Sequence, residues 1–292
     1  MIEIKDLDKS YGKQQVLHGL NLVIPDRRVY GLVGVNGAGK STLMRLMAGV
    51  LKADTGGIFY DGQEIYENVN VKSKIFFLPD DPYYGGSTSG KQLAELYKTY
   101  YSFDDSVFRK WCDQFSLKPT VPIHNFSKGM KRQMFVSLAL ASRPKYLLLD
   151  EAFDGLDPNA RLSFKRALIE LSEENGCTTV IASHSLRELS DICSDFALIG
   201  KGTVLQSGDL TDHLSSVHKF QAAFSRDVSR SDFPFDCIKF ECTGRVAQFI
   251  VLGDTDKIRA AIANADPLFV EEIPVDFEEY FLIETEQGRE NQ

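Results

Sequence analysis

The chain reads as an α/β protein built on a parallel sheet, with a smaller α+β unit behind it, and three observations predict this. Short apolar runs (Val29–Val33, 146–149 and Thr178–Ala182) alternate with helical patterns, the arrangement of a parallel sheet covered on both faces. Residues 82–142 carry helical patterns with almost no strand signal and read as a helical insertion. After Gly208 the pattern changes again, to alternating strand segments and one further helix. The 292 residues suffice for one large core and a small second one, so the expected domains are 1–210 and 211–292.

Residues 1–80 read mostly as strands around one helix. The run Val29–Val33 ends in a glycine-rich turn, beyond which Leu43, Leu46, Met47 and Val50 recur at the spacing of a helix with one buried face. Asp61-Gly62, a dipeptide suited to positive φ, predicts a hairpin between 57–60 and 63–65. The strand Ile75–Leu78 stops at Pro79. In the insertion, Leu93, Leu96, Tyr97 and Tyr100, and later Phe135 and Leu138, mark helical faces. Strand grammar returns at 146–149, followed by a helix around 162–171 and the strand Thr178–Ala182. The C-terminal region shows alternation over 237–242 and Val246–Leu252, a helix near 256–265, a further short strand, and a polar tail after Glu284.

Composition excludes several function classes. A net charge of −8 and a pI near 5.2 do not supply the clustered cations that a sequence-independent grip on nucleic acid needs. No apolar run reaches the ~18 to 20 residues that span a bilayer, and the N-terminal MIEIKDLDKSYG has no secretory character. The expected location is therefore cytoplasmic, with any membrane association made through a partner. Five cysteines in no Cys-x-x-Cys pair read as reduced thiols.

Gly34-Val35-Asn36-Gly37-Ala38-Gly39-Lys40-Ser41 matches G-x-x-x-x-G-K-[ST] between an apolar strand and a helix N-terminus. Glycines let successive N–H groups turn inward as an anion-binding nest, and the helix dipole adds positive potential there. The motif predicts a P-loop nucleoside triphosphatase fold, with Lys40 on the β- and γ-phosphates and Ser41 as a Mg²⁺ ligand. By itself it predicts only nucleotide binding. Asp150 and Glu151 follow the run 146–149 at the carboxyl end of a buried strand, where α/β sheets bind ligands. Asp150 suits a Mg²⁺ partner and Glu151 a group that polarises the attacking water. His184, after the strand Thr178–Ala182, is carried to the same edge.

In this order these residues resemble the ATP-binding cassette (ABC) family over about residues 1–210. The deciding stretch is Phe126-Ser127-Lys128-Gly129-Met130-Lys131-Arg132-Gln133, which is similar to the family signature and lies upstream of the Asp150-Glu151 pair at the family's spacing. The resemblance implies a mixed-sheet core with N-terminal antiparallel strands and a helical subdomain at about 82–142. It implies hydrolysis of ATP with Mg²⁺ by a homodimer with composite sites, seated on an integral-membrane permease subunit.

Residue by residue, it makes Tyr11 the aromatic that stacks on adenine, and it assigns Gly34, Asn36, Gly37, Ala38, Gly39, Lys40, Ser41 and Thr42 to the bound ATP. His184 contacts the γ-phosphate and the water held by Glu151, Asp157 belongs to a D-loop, and Ser127 and Gly129 bind the ATP of the opposite subunit.

Two departures stand out. Asp80 occupies the position where the family usually has Gln, which makes it an expected contact of Mg²⁺ or its waters. Lys128 replaces a signature glycine and, with Lys131 and Arg132, puts positive charge on the first turn of a helix, against the macrodipole preference. That charge either faces the opposite γ-phosphate or forms a solvated basic face. The FSKGM form resembles exporter subfamilies for lipids, antibiotics or peptides. The rival reading is a soluble cassette in translation or DNA maintenance, or a regulator without turnover. The paired cassettes of the translation type are absent, and the 85 residues between Ser41 and Ser127 leave no room for the long coiled coil of the chromosome-maintenance type.

Overall fold

The computed structural model describes residues 1–252 and 255–290, the side chains of 284–290 excepted. They fall into two units, Met1–Ser207 and Gly208–Gln292.

The first unit opens with β1 (Ile2–Tyr11) and β2 (Gln14–Ile24), antiparallel and alternating in burial, and then β3 (Val29–Val33), buried along its whole length. Next come α1 (Lys40–Met47), β4 (Thr55–Tyr60) and β5 (Gln63–Glu64). Asp61 and Gly62 both take positive φ, 50° and 77°, which gives the β4–β5 turn the twist a tight hairpin needs. A short α2 (Val69–Lys72) leads into β6 (Ile75–Leu78). The sheet ordered β2-β1-β4-β5 is the expected N-terminal antiparallel layer.

The insertion holds α3 (Gly90–Tyr97), α4 (Asp105–Gln114) and α5 (Lys128–Ala141). Each starts where a side chain accepts an otherwise orphaned N–H: Ser89 and Gln92 form a capping box, Asp104 caps α4, and Ser127 accepts from Met130 at 3.2 Å. Beyond lie β7 (Tyr146–Asp150), α6 (Pro158–Asn175), β8 (Thr178–Ala182), α7 (Leu186–Ser190), β9 (Asp195–Gly200) and β10 (Thr203–Asp209). Asp157 caps α6 with Pro158 at its first position, and Gly176 ends it in the left-handed conformation. The central sheet runs β10-β9-β3-β8-β7-β6, with parallel pairing from β9 through to β6. The carboxyl ends of β3, β7 and β8 therefore open on one edge.

Three periodicity readings need correction. Val50 lies outside α1 and is exposed, because Ala48 and Gly49 already close the helix. Leu96 and Tyr100 are exposed, so the buried face of α3 is Gly90, Leu93 and Ala94. The strands β9 and β10 were not anticipated, although β9 is almost wholly buried.

The second unit carries α8 (Leu210–Ser215), β11 (Val217–Phe224), β12 (Lys239–Thr243), β13 (Val246–Leu252), α9 (Thr255–Ala263), β14 (Pro267–Ile273) and α10 (Phe277–Glu290). Its antiparallel sheet is ordered β12-β13-β11-β14. The core packs Phe220, Phe249 and Phe233 against Ile258 and Ile262. The expected polar tail continues α10 as far as Glu290; the side chains beyond Ile283 and residues 291–292 lie outside the described residues.

Candidate functional site: a phosphate loop at the sheet edge

The loop between β3 and α1 encloses a pocket of about 300 Å³ lined by Val16, Asn36, Gly37, Gly39, Lys40, Ser41, Thr42 and Glu151. Gly39 holds φ at 106°, and a Cβ there would lie 2.7 Å from Leu17 Cδ2. The left-handed backbone and the close approach of β2 both favour glycine here. The Lys40 ammonium is buried and donates to the carbonyls of Gly34 (2.6 Å) and Val35 (3.3 Å). Burial pulls its pKa below the usual lysine value, and the nearby carboxylates Glu151 and Asp150 oppose that shift. Ala38 is buried in the loop and its N–H closes a turn onto Val35 O.

Opposite, Ser41 Oγ donates to Asp150 Oδ1 at 3.2 Å. Burial is the largest cause raising the Asp150 pKa; the Ser41 hydrogen bond opposes it, and the charges of Glu151 and Asp80 add to the rise. A buried carboxylate among other acids, beside a hydroxyl, gains most from a divalent cation that takes hard oxygen ligands. The donor set at Ser41 and Asp150 therefore fits Mg²⁺.

Glu151 has a left-handed backbone, φ 49°, secured by its N–H on Ala182 O at 2.9 Å. This unfavourable conformation turns the carboxylate toward His184. His184 Nδ1 lies 2.9 Å from Glu151 Oε2, and the His184 N–H points at the same oxygen at 3.4 Å. Asp154, which the sequence reading did not single out, brings a third donor: single ligand atoms of Glu151, Asp154 and His184 lie within 4.8 Å of one another.

The remaining expected residues lie apart from that lining. Tyr11 ends β1, exposed, with the Lys9 ammonium 5.9 Å from its ring centre. Ser127 and Gly129 begin α5 next to the loop that carries Gly155, whose carbonyl oxygen is 2.6 Å from where a Gly129 Cβ would stand. Gln133 Nε2 donates to Asp157 Oδ2 at 3.3 Å, so the 126–133 stretch and the 153–158 loop form one assembly.

Arg132 corrects the sequence reading. It is neither solvated nor free to face a phosphate, because it is buried with its guanidinium on Pro79 O, Asp80 O and Asp80 Oδ1. The same contact means that Asp80, expected at the metal, has one carboxylate oxygen held by Arg132. No motif signalled this pairing, because its partners are far apart in sequence and meet only when α5 packs beside β6.

A phosphate-cradling loop at the carboxyl edge of a parallel sheet, with a buried lysine, a hydroxyl and two acids, defines a P-loop nucleotide-binding fold. Residues 17–154 match the family model described as ABC transporter. The chain is 30% identical over 230 residues to the lantibiotic transport ATP-binding protein SrtF of Streptococcus pyogenes, covering 77% of this chain and 99% of SrtF. It is 28% identical over 284 residues to the ABC transporter ATP-binding protein YtrB of Bacillus subtilis, covering 97% of each, so that likeness runs through the second unit. A solved ATP-binding subunit of an ABC transporter superposes with a TM-score of 0.68 at 25% identity, over 74% of this chain and 92% of that one. The chain belongs to the ABC transporter family as an ATP-binding subunit, and its enzyme class is that of the ATPases. Among the described residues no helix is long and apolar enough to cross a membrane.

Proposed function

We propose that two copies of this chain close head to tail over two MgATP molecules and drive export through a separate membrane-spanning partner, from the cytoplasmic side. One observation carries the reading: the phosphate pocket is lined by Asn36–Thr42 residues and Glu151, whereas Ser127, Gly129 and Asp157 cluster elsewhere. Each chain then holds two half-sites, and a complete site needs a second copy.

In this scheme the loop amides and Lys40 hold the β- and γ-phosphates, and Tyr11 stacks on adenine. Ser41 and Asp150 hold Mg²⁺, with Asp80 nearby. When bound, the cation neutralises charge on the phosphate oxygens. Glu151 orients the attacking water and accepts its proton. His184, hydrogen-bonded to Glu151, presents its other ring nitrogen to the γ-phosphate. From the second copy come the N–H groups and hydroxyl of Ser127 and Gly129, with the Lys128 ammonium facing the same phosphate.

ATP favours closure only through its higher affinity for the closed pair, which arises because the signature reaches the nucleotide on closure alone. Exposed apolar side chains of the helical insertion and its entry, Tyr83, Leu96 and Tyr100, offer the membrane partner a surface. The FSKGM signature and the likeness to SrtF support export as the direction.

Glu151→Gln removes the base and keeps the shape, so the variant is expected to accumulate as a nucleotide-bound dimer with little turnover. Light scattering with and without MgATP reads this directly. A Glu151→Gln protein that stays monomeric, or one that hydrolyses ATP at the wild-type rate, contradicts the reading.

A further inference from the structure

Arg132 is the only buried arginine among the described residues, 4% exposed, while its one ionic partner Asp80 is 59% exposed. A buried guanidinium needs most of its donors satisfied, and here the acceptors all come from one short segment. NH1 donates to Pro79 O at 3.1 Å, and NH2 donates to Asp80 O at 2.7 Å and Asp80 Oδ1 at 3.0 Å.

Two further contacts fasten the same loop to the same helix. The Lys131 ammonium lies 5.6 Å from the Tyr84 ring centre, and the Tyr84 ring lies 6.0 Å from that of Phe135. Between these fasteners Tyr83 is 95% exposed.

At its other end the loop leaves β6, which pairs with β7 in the register Leu78↔Leu149, next to Asp150 and Glu151. The segment 79–84 thus touches the metal edge of the sheet, the helix that begins at Ser127, and the outside surface at Tyr83.

We propose that Arg132 is a positioning residue: with Asp80 it latches the loop 79–84 to the signature helix, so that the hydrolytic edge and the partner-facing Ser127–Gly129 tip move as one body. The inference rests on the composite-site reading above and goes beyond it by assigning the link between the two half-sites of one chain. Asp80 serves in this latch as the counter-ion of Arg132. Arg132→Lys keeps the charge but loses the forked donors that reach Pro79 O, Asp80 O and Asp80 Oδ1 together.

The test is a double-mutant cycle in the full chain with Asp80→Asn, Arg132→Gln and the pair, reading kcat, KM for ATP, the Mg²⁺ requirement and hydrogen exchange. Each single change is expected to lower kcat about tenfold, with KM for ATP moved less than about twofold and the double variant no slower than the worse single. Exchange in 79–84 and 127–133 is expected to rise together in either single variant without nucleotide.

Multiplying losses in the double variant, or wild-type kcat in the singles, overturns the latch. A raised Mg²⁺ requirement in Asp80→Asn alone also overturns it and makes Asp80 a metal ligand. Where Arg132→Gln fails to fold, Asp80→Asn and Arg132→Lys carry the same comparison, since both keep the backbone acceptors and the size of the pair. Exchange is read on the chain without nucleotide, so failure of the composite-site reading, a Glu151→Gln protein that never pairs, leaves that arm intact. Exchange that rises in only one segment overturns the latch whatever the Glu151→Gln result.

Discussion

The phosphate loop and the signature tip are built in opposite ways. Around Lys40 the charges answer one another within the chain: the ammonium is buried on loop carbonyls, Ser41 is bonded to Asp150, and Glu151 is bonded to His184. At the start of α5, Ser127 and Lys128 are exposed, and a cation sits at the positive end of a helix dipole. The polar groups of the loop are satisfied within the chain, while the tip is fastened through Arg132 and Gln133 and leaves Ser127 and Lys128 exposed. The difference is what the proposed second copy, completing each site, would explain.

The largest effect expected from breaking this contrast is in Glu151→Gln, where removal of a positioned base lowers kcat by roughly 10²–10⁴-fold while nucleotide-driven pairing persists. Steady-state ATPase assays and light scattering measure the two halves of that statement.

Gly39→Ala should be next. Its left-handed φ costs about 1–3 kcal/mol for a residue with a side chain, and the added methyl meets Leu17 Cδ2. Binding of a fluorescent ATP analogue to the single chain should weaken at least tenfold. Gly129→Ala gives the reciprocal result: its methyl would collide with Gly155 O in the signature assembly. The single chain should keep its nucleotide affinity and lose turnover. Equal loss of nucleotide affinity in both variants would erase the distinction between the two regions.

Lys128→Ala sharpens the comparison at the tip. Its effect on KM for ATP and on nucleotide-dependent dimerisation should be about fivefold or less, since one charge at a helix end contributes ~0.3–1 kcal/mol. Unchanged values for both would assign Lys128 to a solvated face.

The smallest effect belongs to buried Cys177, just ahead of β8. Burial pushes the Cys177 thiol from 9.0 up to about 12. Between those values the unfolded chain ionises and the folded chain does not, so the folded state binds more protons and stability falls as pH rises. Cys177→Ala should lessen this alkaline loss in melting curves. Exposed Cys242 should meanwhile react with maleimide in the native protein, with Cys177 protected.

The amino-acid sequence by itself determined the phosphate loop, the acids after β7 and the histidine after β8, because each is a local event. A buried apolar strand must end, and the residues at its end are fixed by chain order. Helix starts at Ser89, Asp104, Ser127 and Asp157 were legible for the same reason in principle, since a cap and its N–H lie within one turn. Tertiary structure decided what each charge does.

Lys131 and Arg132 are neighbours in sequence, yet one stacks on Tyr84 and the other is buried on Pro79 and Asp80. Helical geometry turns successive side chains about 100° apart, and only the packing of α5 beside β6 selects which cation is enclosed. Val50, Leu96 and Tyr100 fit a helical period and are nonetheless exposed, because periodicity registers apolar character and cannot say which surface another element covers. Chain order already carried Glu151 and His184 to one sheet edge, whereas the approach of Asp154 to both depended on how the loop after β7 folds back.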